Sequence, residues 1–203
     1  MKKCLKRIGI CFLIVSFVWM GSLIADRTRL RRELIRLHVV AASDSYEDQN
    51  MKLQVRDAVL ASLRQGLSDA TDMDQAREYI RAHLPQMEAA ANAILRELGV
   101  EDRAVVTFSD EAFPLREYET FSLPSGVYES LRITIGEGKG KNWWCVVFPS
   151  LCSGHSTDET ADIAAGAGFS DGLSAAVTGE DGYRIRFYFL DLLGKLENFF
   201  FGD

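Results

Sequence analysis

The stretch GEGKGKNWWCVVFPSLC (136–152) combines three alternate glycines, two adjacent tryptophans and two cysteines seven positions apart. An alternating run rich in branched residues, VYESLRITI (127–135), comes directly before it. Two such runs separated by glycines are typical of strands joined by a reversal of the chain. We therefore predict a β-hairpin in which 127–135 pairs with 142–148 across a flexible glycine-rich tip.

Upstream of this hairpin, the sequence predicts a strand followed by a helix. Residues 34–42, LIRLHVVAA, are rich in branched side chains and indicate an interior strand. Asp44 and Glu47 fit a capping box, which satisfies free backbone N–H groups at the start of a helix. An amphipathic helix should follow over 47–65 and end at Gly66.

A second helical region and another strand complete the segment before the hairpin. Pro85 suits the first turn of a helix, where a missing N–H costs no helical hydrogen bond. We therefore divide this region into two helices, 73–83 and 85–98, and expect Gly99 to end the second one. Residues 103–109, RAVVTFS, alternate in polarity and predict a strand.

The C-terminal part of the chain changes character twice. Small and polar residues dominate 153–182, which predicts a flexible linker. In the apolar segment 183–203 the first residues alternate like a strand, and those from Phe189 to Phe200 follow helical spacing. This terminal helix either docks on the core or binds a partner or a membrane surface.

Segment 1–25 is typical of a membrane-targeting element. A basic cluster precedes the uncharged run 8–25, which as a helix rises about 27 Å, close to the thickness of a bilayer's hydrocarbon core. Ala25 suits the last position before a cleavage site, but Leu23 is not the small residue that such a site requires. A cleaved signal peptide and a retained anchor both remain open. Arginines at 27, 29, 31 and 32 follow the run as closely as the lysines precede it, so the positive-inside rule does not decide the orientation. We expect the body outside the cytoplasm, because short basic N-termini usually stay inside.

Charge and cysteine usage narrow the function classes. The net charge is −6, and it becomes more negative without the four basic residues of the targeting segment. Such a body lacks the positive surface that nucleic-acid binding requires. In an exported body Cys145 and Cys152 can form a disulfide, which contributes about 2–3 kcal/mol for a short loop. Two reduced, buried thiols are the alternative.

The sequence presents no constellation typical of a metal, cofactor or catalytic site. His38, His83 and His155 lie in different elements without a second ligand nearby, and His38 fits a satisfied core histidine. The glycine loop does not match a phosphate-binding loop, because Asn142 stands where a Ser or Thr is required. The enzymatic alternative is a hydrolase that uses Cys145 or an acidic pair.

Four residues are candidates for contact with a partner: Asn142, Trp143, Trp144 and Tyr128. Neighbours in a strand point to opposite faces, so one tryptophan can enter the core while the other reaches the surface. An exposed tryptophan is a typical anchor of a protein interface. The alternative is that both tryptophans serve mainly in packing.

The order of elements favours the α+β class. After the membrane-targeting helix we expect a single domain over 34–152, in which an antiparallel or mixed sheet is packed by about three helices. The linker and a C-terminal apolar helix follow this domain.

Two segments resemble the stage II sporulation protein R family, which comprises secreted signalling proteins of endospore-forming bacteria. They are IRLHVVAASDSYEDQNMKLQVRDAVL (35–60) and PSGVYESLRITIGEGKGKNWWCVVFPSLC (124–152). Family members also begin with an apolar export segment. The departures are Lys141 before Asn142 and Ser125 in the turn. The resemblance does not extend to 154–182, for which we match no counterpart.

The resemblance implies a signalling role rather than a reaction. Such proteins are made in the forespore and cross its membrane into the space between the two septal membranes. There they activate a membrane-embedded aspartic protease of the mother cell, which removes the pro-peptide from the early mother-cell sigma factor. The resemblance implies no cofactor and no catalytic residue, and we expect membrane contact through the N-terminal segment only.

Two other function classes stay open on the residues alone. One is a cell-wall-acting hydrolase, and the other is a wall-binding module that uses the tryptophans. Loss of all activity when Cys145 and Cys152 become Ser would indicate the hydrolase. Loss of wall binding when Trp143 or Trp144 becomes Ala would indicate the binding module.

Overall fold

The computed structural model describes residues 2–149, 175, 178 and 184–201. The helices are α1 (Lys2–Arg32), α2 (Tyr46–Asp69), α3 (Met73–Glu97) and α4 (Arg184–Phe201). The strands are β1 (Ile35–Val40), β2 (Ala104–Phe113), β3 (Arg116–Glu117), β4 (Ser122–Leu123), β5 (Gly126–Ile135) and β6 (Asn142–Phe148). The predicted α+β class is confirmed.

A four-stranded mixed sheet with the order β2-β5-β1-β6 forms the centre of the domain. β1 pairs in parallel with β5 and antiparallel with β6, and β2 pairs antiparallel with β5. Every residue of β1 is buried, which confirms the interior strand that the sequence predicts. β3 and β4 form a separate two-stranded ribbon.

The predicted hairpin between β5 and β6 is wrong, because β1 lies between these two strands. Their glycine-rich connection crosses the carboxyl end of β1, where the N–H of Gly140 donates to the carbonyl of Ala41 at 2.9 Å. A Cβ at Gly140 would overlap the backbone of Ser43. Only glycine, which has no Cβ, allows so close a crossing.

α2 has a different cap from the predicted one and continues past Gly66. Ser45, rather than Asp44, caps the helix, and its hydroxyl accepts from the N–H of Asp48 at 3.1 Å. Gly66 lies inside the helix, at a point where a Cβ would overlap the ring of Tyr79 on α3. The predicted helix stop is therefore a site of close helix–helix packing.

α3 is one continuous helix, so the predicted division at Pro85 is wrong. Its buried residues keep helical spacing on both sides of the exposed Pro85, and this packing holds both halves in one helix. The predicted end is confirmed: the N–H groups of Gly99 and Val100 donate to the carbonyls of Arg96 and Leu95. These two bonds form the Schellman pattern of a helix C-terminus.

Each face of the sheet carries a hydrophobic core. The first core lies under α2 and α3 and includes Leu37 and Ile133. The second core joins α1, α4 and the β3–β4 ribbon to the opposite face, through residues such as Leu23, Leu190 and Phe113. The last turns of α1 are therefore a structural part of the body.

The C-terminal segment is helical from Arg184, so the predicted initial strand is wrong. Leu190, with the half-buried Phe189 and Leu193, packs on the second core. A helix brings these positions to one side, whereas a strand would direct the adjacent pair to opposite faces. The predicted linker, 153–182, lies outside the described residues apart from positions 175 and 178.

Candidate functional site

Beyond the second core, the same sheet face carries a group of polar side chains around a histidine. This polar cluster consists of His38 on β1, Glu111 on β2, Arg132 on β5, and Asn142 and Trp144 on β6. Strand register brings its members together, since His38 pairs with Arg132 on one side and with Trp144 on the other. The cluster therefore depends on β1 lying between β5 and β6.

His38 is buried at the centre of the polar cluster. Its Nδ1 lies 2.7 Å from a carboxylate oxygen of Glu111, and its Nε2 lies 2.9 Å from the side-chain oxygen of Asn142. The imidazole stacks on the ring of Trp144 with centroids 3.7 Å apart. Both ring nitrogens have partners, which agrees with the interpretation of His38 as a satisfied core histidine.

Glu111 is the acidic member of the polar cluster, and its Oε1 also accepts from Arg132 at 3.0 Å. Burial alone would raise the pKa of this carboxyl. The hydrogen bond and charge of His38, together with Ser130 and Arg132, outweigh burial and lower the pKa of Glu111. Glu111 is therefore a carboxylate at neutral pH, held between an imidazole and a guanidinium.

A carboxylate–histidine pair forms part of many sites that activate a nucleophile. Here the ring nitrogen that would face the nucleophile contacts Asn142 instead. Cys145, the predicted alternative nucleophile, lies in the first core on the opposite face of the sheet, and His155 lies outside the described residues. The arrangement around His38 thus fixes the ring in place and presents polar groups at the surface.

The two adjacent tryptophans lie on opposite faces of β6, as strand alternation predicts. Trp143 packs against the first core, and the guanidinium of Arg56 lies 4.5 Å from its ring centroid. Trp144 packs against the second core, and the guanidinium of Arg116 lies 5.2 Å from its ring centroid. Both tryptophans are half-buried, so each supports local packing and also exposes part of its surface.

Asn142 and Tyr128 differ in their access to a partner. Asn142 is exposed at the start of β6. Tyr128 is buried, and its hydroxyl donates to the carbonyl of Pro124 at 2.8 Å. Burial raises the pKa of Tyr128 to about 12, so the phenol stays neutral at physiological pH. The prediction for Tyr128 is therefore corrected: it is a core residue and offers no surface for a partner.

Sequence reasoning missed Arg36, a fully buried arginine on the same face of β1 as His38. Its guanidinium carbon lies 4.2 Å from the ring centroid of Phe113 and 5.1 Å from that of Tyr128. It also donates to the hydroxyl of Tyr118 at 2.7 Å. A desolvated cation–π contact of this kind contributes about 2 kcal/mol. The signal was present in the sequence, because Arg36 and His38 alternate with the apolar residues of β1.

The predicted disulfide stays a prediction, because Cys152 lies outside the described residues. Cys145 is buried on the first face, and Cys4 and Cys11 are free cysteines exposed on α1. Within the described ranges, no group of three or more His, Cys, Asp and Glu side chains could hold a metal ion.

α1 is long and apolar enough to cross a membrane, although a signal sequence has the same character. Its most apolar window has a mean hydropathy of 2.4. Its last turns pack on the body: Leu23 and Leu30 are buried in the second core, and Arg77 donates to the carbonyl of Arg32 at 2.7 Å. One unbroken helix therefore connects the membrane-compatible segment to the domain.

Fold and site together define a class: a small α+β domain that continues from an N-terminal apolar helix and carries a polar and aromatic cluster on one sheet face. A family model described as stage II sporulation protein R matches residues 31–158. A curated relative, stage II sporulation protein R of Bacillus subtilis (strain 168), is 32% identical over 182 residues, which cover 81% of each chain. The chain belongs to the stage II sporulation protein R family. No solved structure matches it.

Proposed function

We propose that this chain is an extracytoplasmic sporulation signal that activates a membrane-embedded aspartic protease of the mother cell. That protease would process the precursor of the early mother-cell sigma factor. Membership of the stage II sporulation protein R family carries the proposal. The matched region includes the whole sheet and the polar cluster, which supports a binding surface on this shared part of the chain. The chain acts by binding and not as an enzyme.

Activation by binding requires that the chain distinguish two states of the protease. A ligand shifts a conformational equilibrium only by the difference in its affinity for the two states. A tenfold shift requires a difference of about 1.4 kcal/mol. A single aromatic anchor at an interface can supply this amount, and the half-buried Trp144 beside the exposed Asn142 is placed for such a contact.

We also propose that α1 stays attached as an anchor, one of the two possibilities that the sequence leaves open. Leu23 is fully buried in the second core, so cleavage after Ala25 would remove a core side chain. An ion pair between Arg27 and Glu197 joins the end of α1 to α4. The anchored body would then lie outside the forespore membrane, in the space between the septal membranes.

Reconstitution in a bacterium that does not sporulate tests the signalling role. The full chain is produced together with the candidate protease and the sigma-factor precursor, and cleavage of the precursor is followed by immunoblot. We expect cleavage only when the chain and the protease are both present. Absence of cleavage with both present, at normal levels of each protein, would refute the proposal.

Two controls separate activation from direct proteolysis. A protease variant without its catalytic aspartate should give no cleavage in the presence of the chain. A chain without residues 1–25, which stays in the cytoplasm, should also give none. Cleavage by the chain without the protease would identify the chain itself as an enzyme.

A further inference from the structure

α4 lies beside the outer end of the apolar segment of α1. The ring centroid of Trp19 lies 4.9 Å from that of Phe189, and eight residues further along both helices Arg27 forms an ion pair with Glu197. This equal spacing means that the two helices run side by side in the same direction. The first turns of α4 are therefore nearest to the membrane, and its last turns are farthest from it.

The position of Trp19 sets the depth of α4. The apolar residues of α1 are largely exposed as far as Val18 and are available to lipid there, whereas Leu23 lies in the second core of the body. Trp19 directly follows this exposed part and packs against the second core, so its contact with Phe189 lies where the membrane segment meets the body. The pair of Arg27 and Glu197 marks the aqueous side. Between Phe189 and Glu197, α4 rises about 12 Å, which exceeds the roughly 5–8 Å of the headgroup layer on one side of a bilayer. Only the first turns of α4 can therefore lie in that layer.

The outward side of α4 has the residues that such a position requires. Its exposed apolar residues form one stripe at helical spacing: Tyr188, Leu192, Leu196, Phe199 and Phe200. Tyr188 is 64% exposed next to Phe189, the residue that contacts Trp19. Tyrosine and tryptophan are enriched at membrane surfaces, because their rings are apolar and their polar groups reach water.

We propose that the first turns of α4 form a second membrane contact, in which Tyr188 and Leu192 enter the headgroup region of the bilayer that holds α1. The sequence predicts membrane contact through the N-terminal segment only, and the α4 contact is additional to it. It rests on the proposal that α1 stays attached. Two contacts fix the rotation of the body on the membrane, so that the polar cluster always has the same orientation toward a partner.

The depth of individual positions on α4 can be measured in the full chain. Cys4 and Cys11 are replaced by Ser, and an environment-sensitive NBD fluorophore is attached to one introduced cysteine. The labelled variants are Phe17→Cys, Tyr188→Cys, Leu192→Cys and Phe199→Cys. Each is reconstituted in phosphatidylethanolamine–phosphatidylglycerol vesicles, with and without spin-labelled lipid as a quencher. Labelling of the parent without an introduced cysteine is subtracted, and circular dichroism verifies the fold of each variant.

Two of the variants are internal references. Phe17→Cys reports insertion of α1, and Phe199→Cys is the matched control on the same stripe of α4, about 16 Å beyond Tyr188. We expect loss of fluorescence by lipid quenching at Phe17 and Tyr188, a smaller loss at Leu192 and none at Phe199.

Other results would overturn the proposed contact. Equal quenching at Tyr188 and Phe199, with Phe17 quenched, would exclude the α4 contact and leave the anchor intact. No quenching at Phe17 would exclude the anchor and the α4 contact together. A blue-shifted label at Tyr188 that lipid does not quench would indicate a second copy of the chain on this stripe instead of lipid. The protease takes no part in the measurement, so its outcome is separate from the proposed signalling function.

Discussion

At the scale of single residues, His38 shows how one buried polar side chain organises a face of the sheet. Glu111 and Asn142 satisfy its two nitrogens, and Trp144 covers its ring. A buried polar group is stable only when its hydrogen bonds are made. Asn142 and Trp144 belong to β6, which pairs with β1, and Glu111 reaches across β5 from β2. The polar contacts therefore add to the apolar pattern in fixing the register of the sheet.

Glu111→Gln should lower the free energy of unfolding at neutral pH. It should also make this free energy change less as the pH is lowered. In the native protein the pKa of Glu111 is lowered from its usual 4.5: burial opposes this shift, and the contacts with His38, Ser130 and Arg132 outweigh burial. The carboxylate therefore stabilises the fold above pH 4.5, and this contribution is lost as the pH falls through the native pKa. We expect a loss of about 1–3 kcal/mol at pH 7, measured by urea denaturation.

The difference between native and Glu111→Gln proteins should become smaller as the solution is acidified below pH 4.5. Glu137→Gln is the matched control, because Glu137 is exposed and pairs with Lys139 at the surface. Its free energy of unfolding should stay close to that of the native protein across the same pH range. A constant difference between native and Glu111→Gln proteins in acid would contradict the lowered pKa.

At the scale of elements, local sequence patterns predict which segments are helices and strands, but packing decides how they are joined. The residues of β5 and β6 are predicted from alternation, yet nothing in their own sequences reveals that β1 lies between them. Gly66 predicts the end of one helix and Pro85 the start of another, but both lie inside helices because tertiary contacts override these signals.

In the candidate site, too, some residues can be predicted from the sequence and others only from the fold. Composition alone identifies Asn142 and the two tryptophans, because rare residues concentrate in one strand. Arg36 and Glu111 escape notice, since an isolated charged residue in a strand usually faces solvent. Arg36 is covered by Phe113 and Tyr128, and Glu111 is held by His38, and all of these contacts join residues that are distant in the sequence.

Gly140→Ala should destabilise the domain by about 1–3 kcal/mol, because overpacking against rigid backbone cannot relax easily. The added Cβ would overlap the backbone of Ser43 where the β5–β6 connection crosses β1. Lys139→Ala is the control in the same loop: this side chain is 74% exposed, so we expect a change within about 0.5 kcal/mol. Thermal and urea denaturation of both variants check the prediction. Native-like stability of Gly140→Ala would mean that the loop does not approach β1 so closely.

At the scale of the whole molecule, α1 is both a membrane-compatible segment and a part of the second core. A chain of residues 26–203 should therefore be less stable than a chain of residues 19–203. The shorter chain lacks Trp19 and Leu23, and loss of a buried leucine side chain alone costs about 2–5 kcal/mol. Urea denaturation of both chains in the same detergent measures the difference. Equal stability would show that the body folds without these turns, as expected for a cleaved signal peptide.

The orientation of the tryptophans on β6 makes the signalling proposal testable with two neighbouring residues of the same type. Trp144 belongs to the face that carries the polar cluster, and Trp143 packs against the opposite face. If the protease binds the polar cluster, Trp144→Ala should reduce precursor cleavage about tenfold, equivalent to about 1.4 kcal/mol of lost preference for the active state. Trp143→Ala should reduce cleavage only in proportion to the loss of folded protein. Reconstituted cleavage, corrected for the folded fraction of each variant, distinguishes the two effects.

Loss of activation in Trp143→Ala alone would place the protease contact on the first face, and native-like activation by both variants would exclude β6 as the contact.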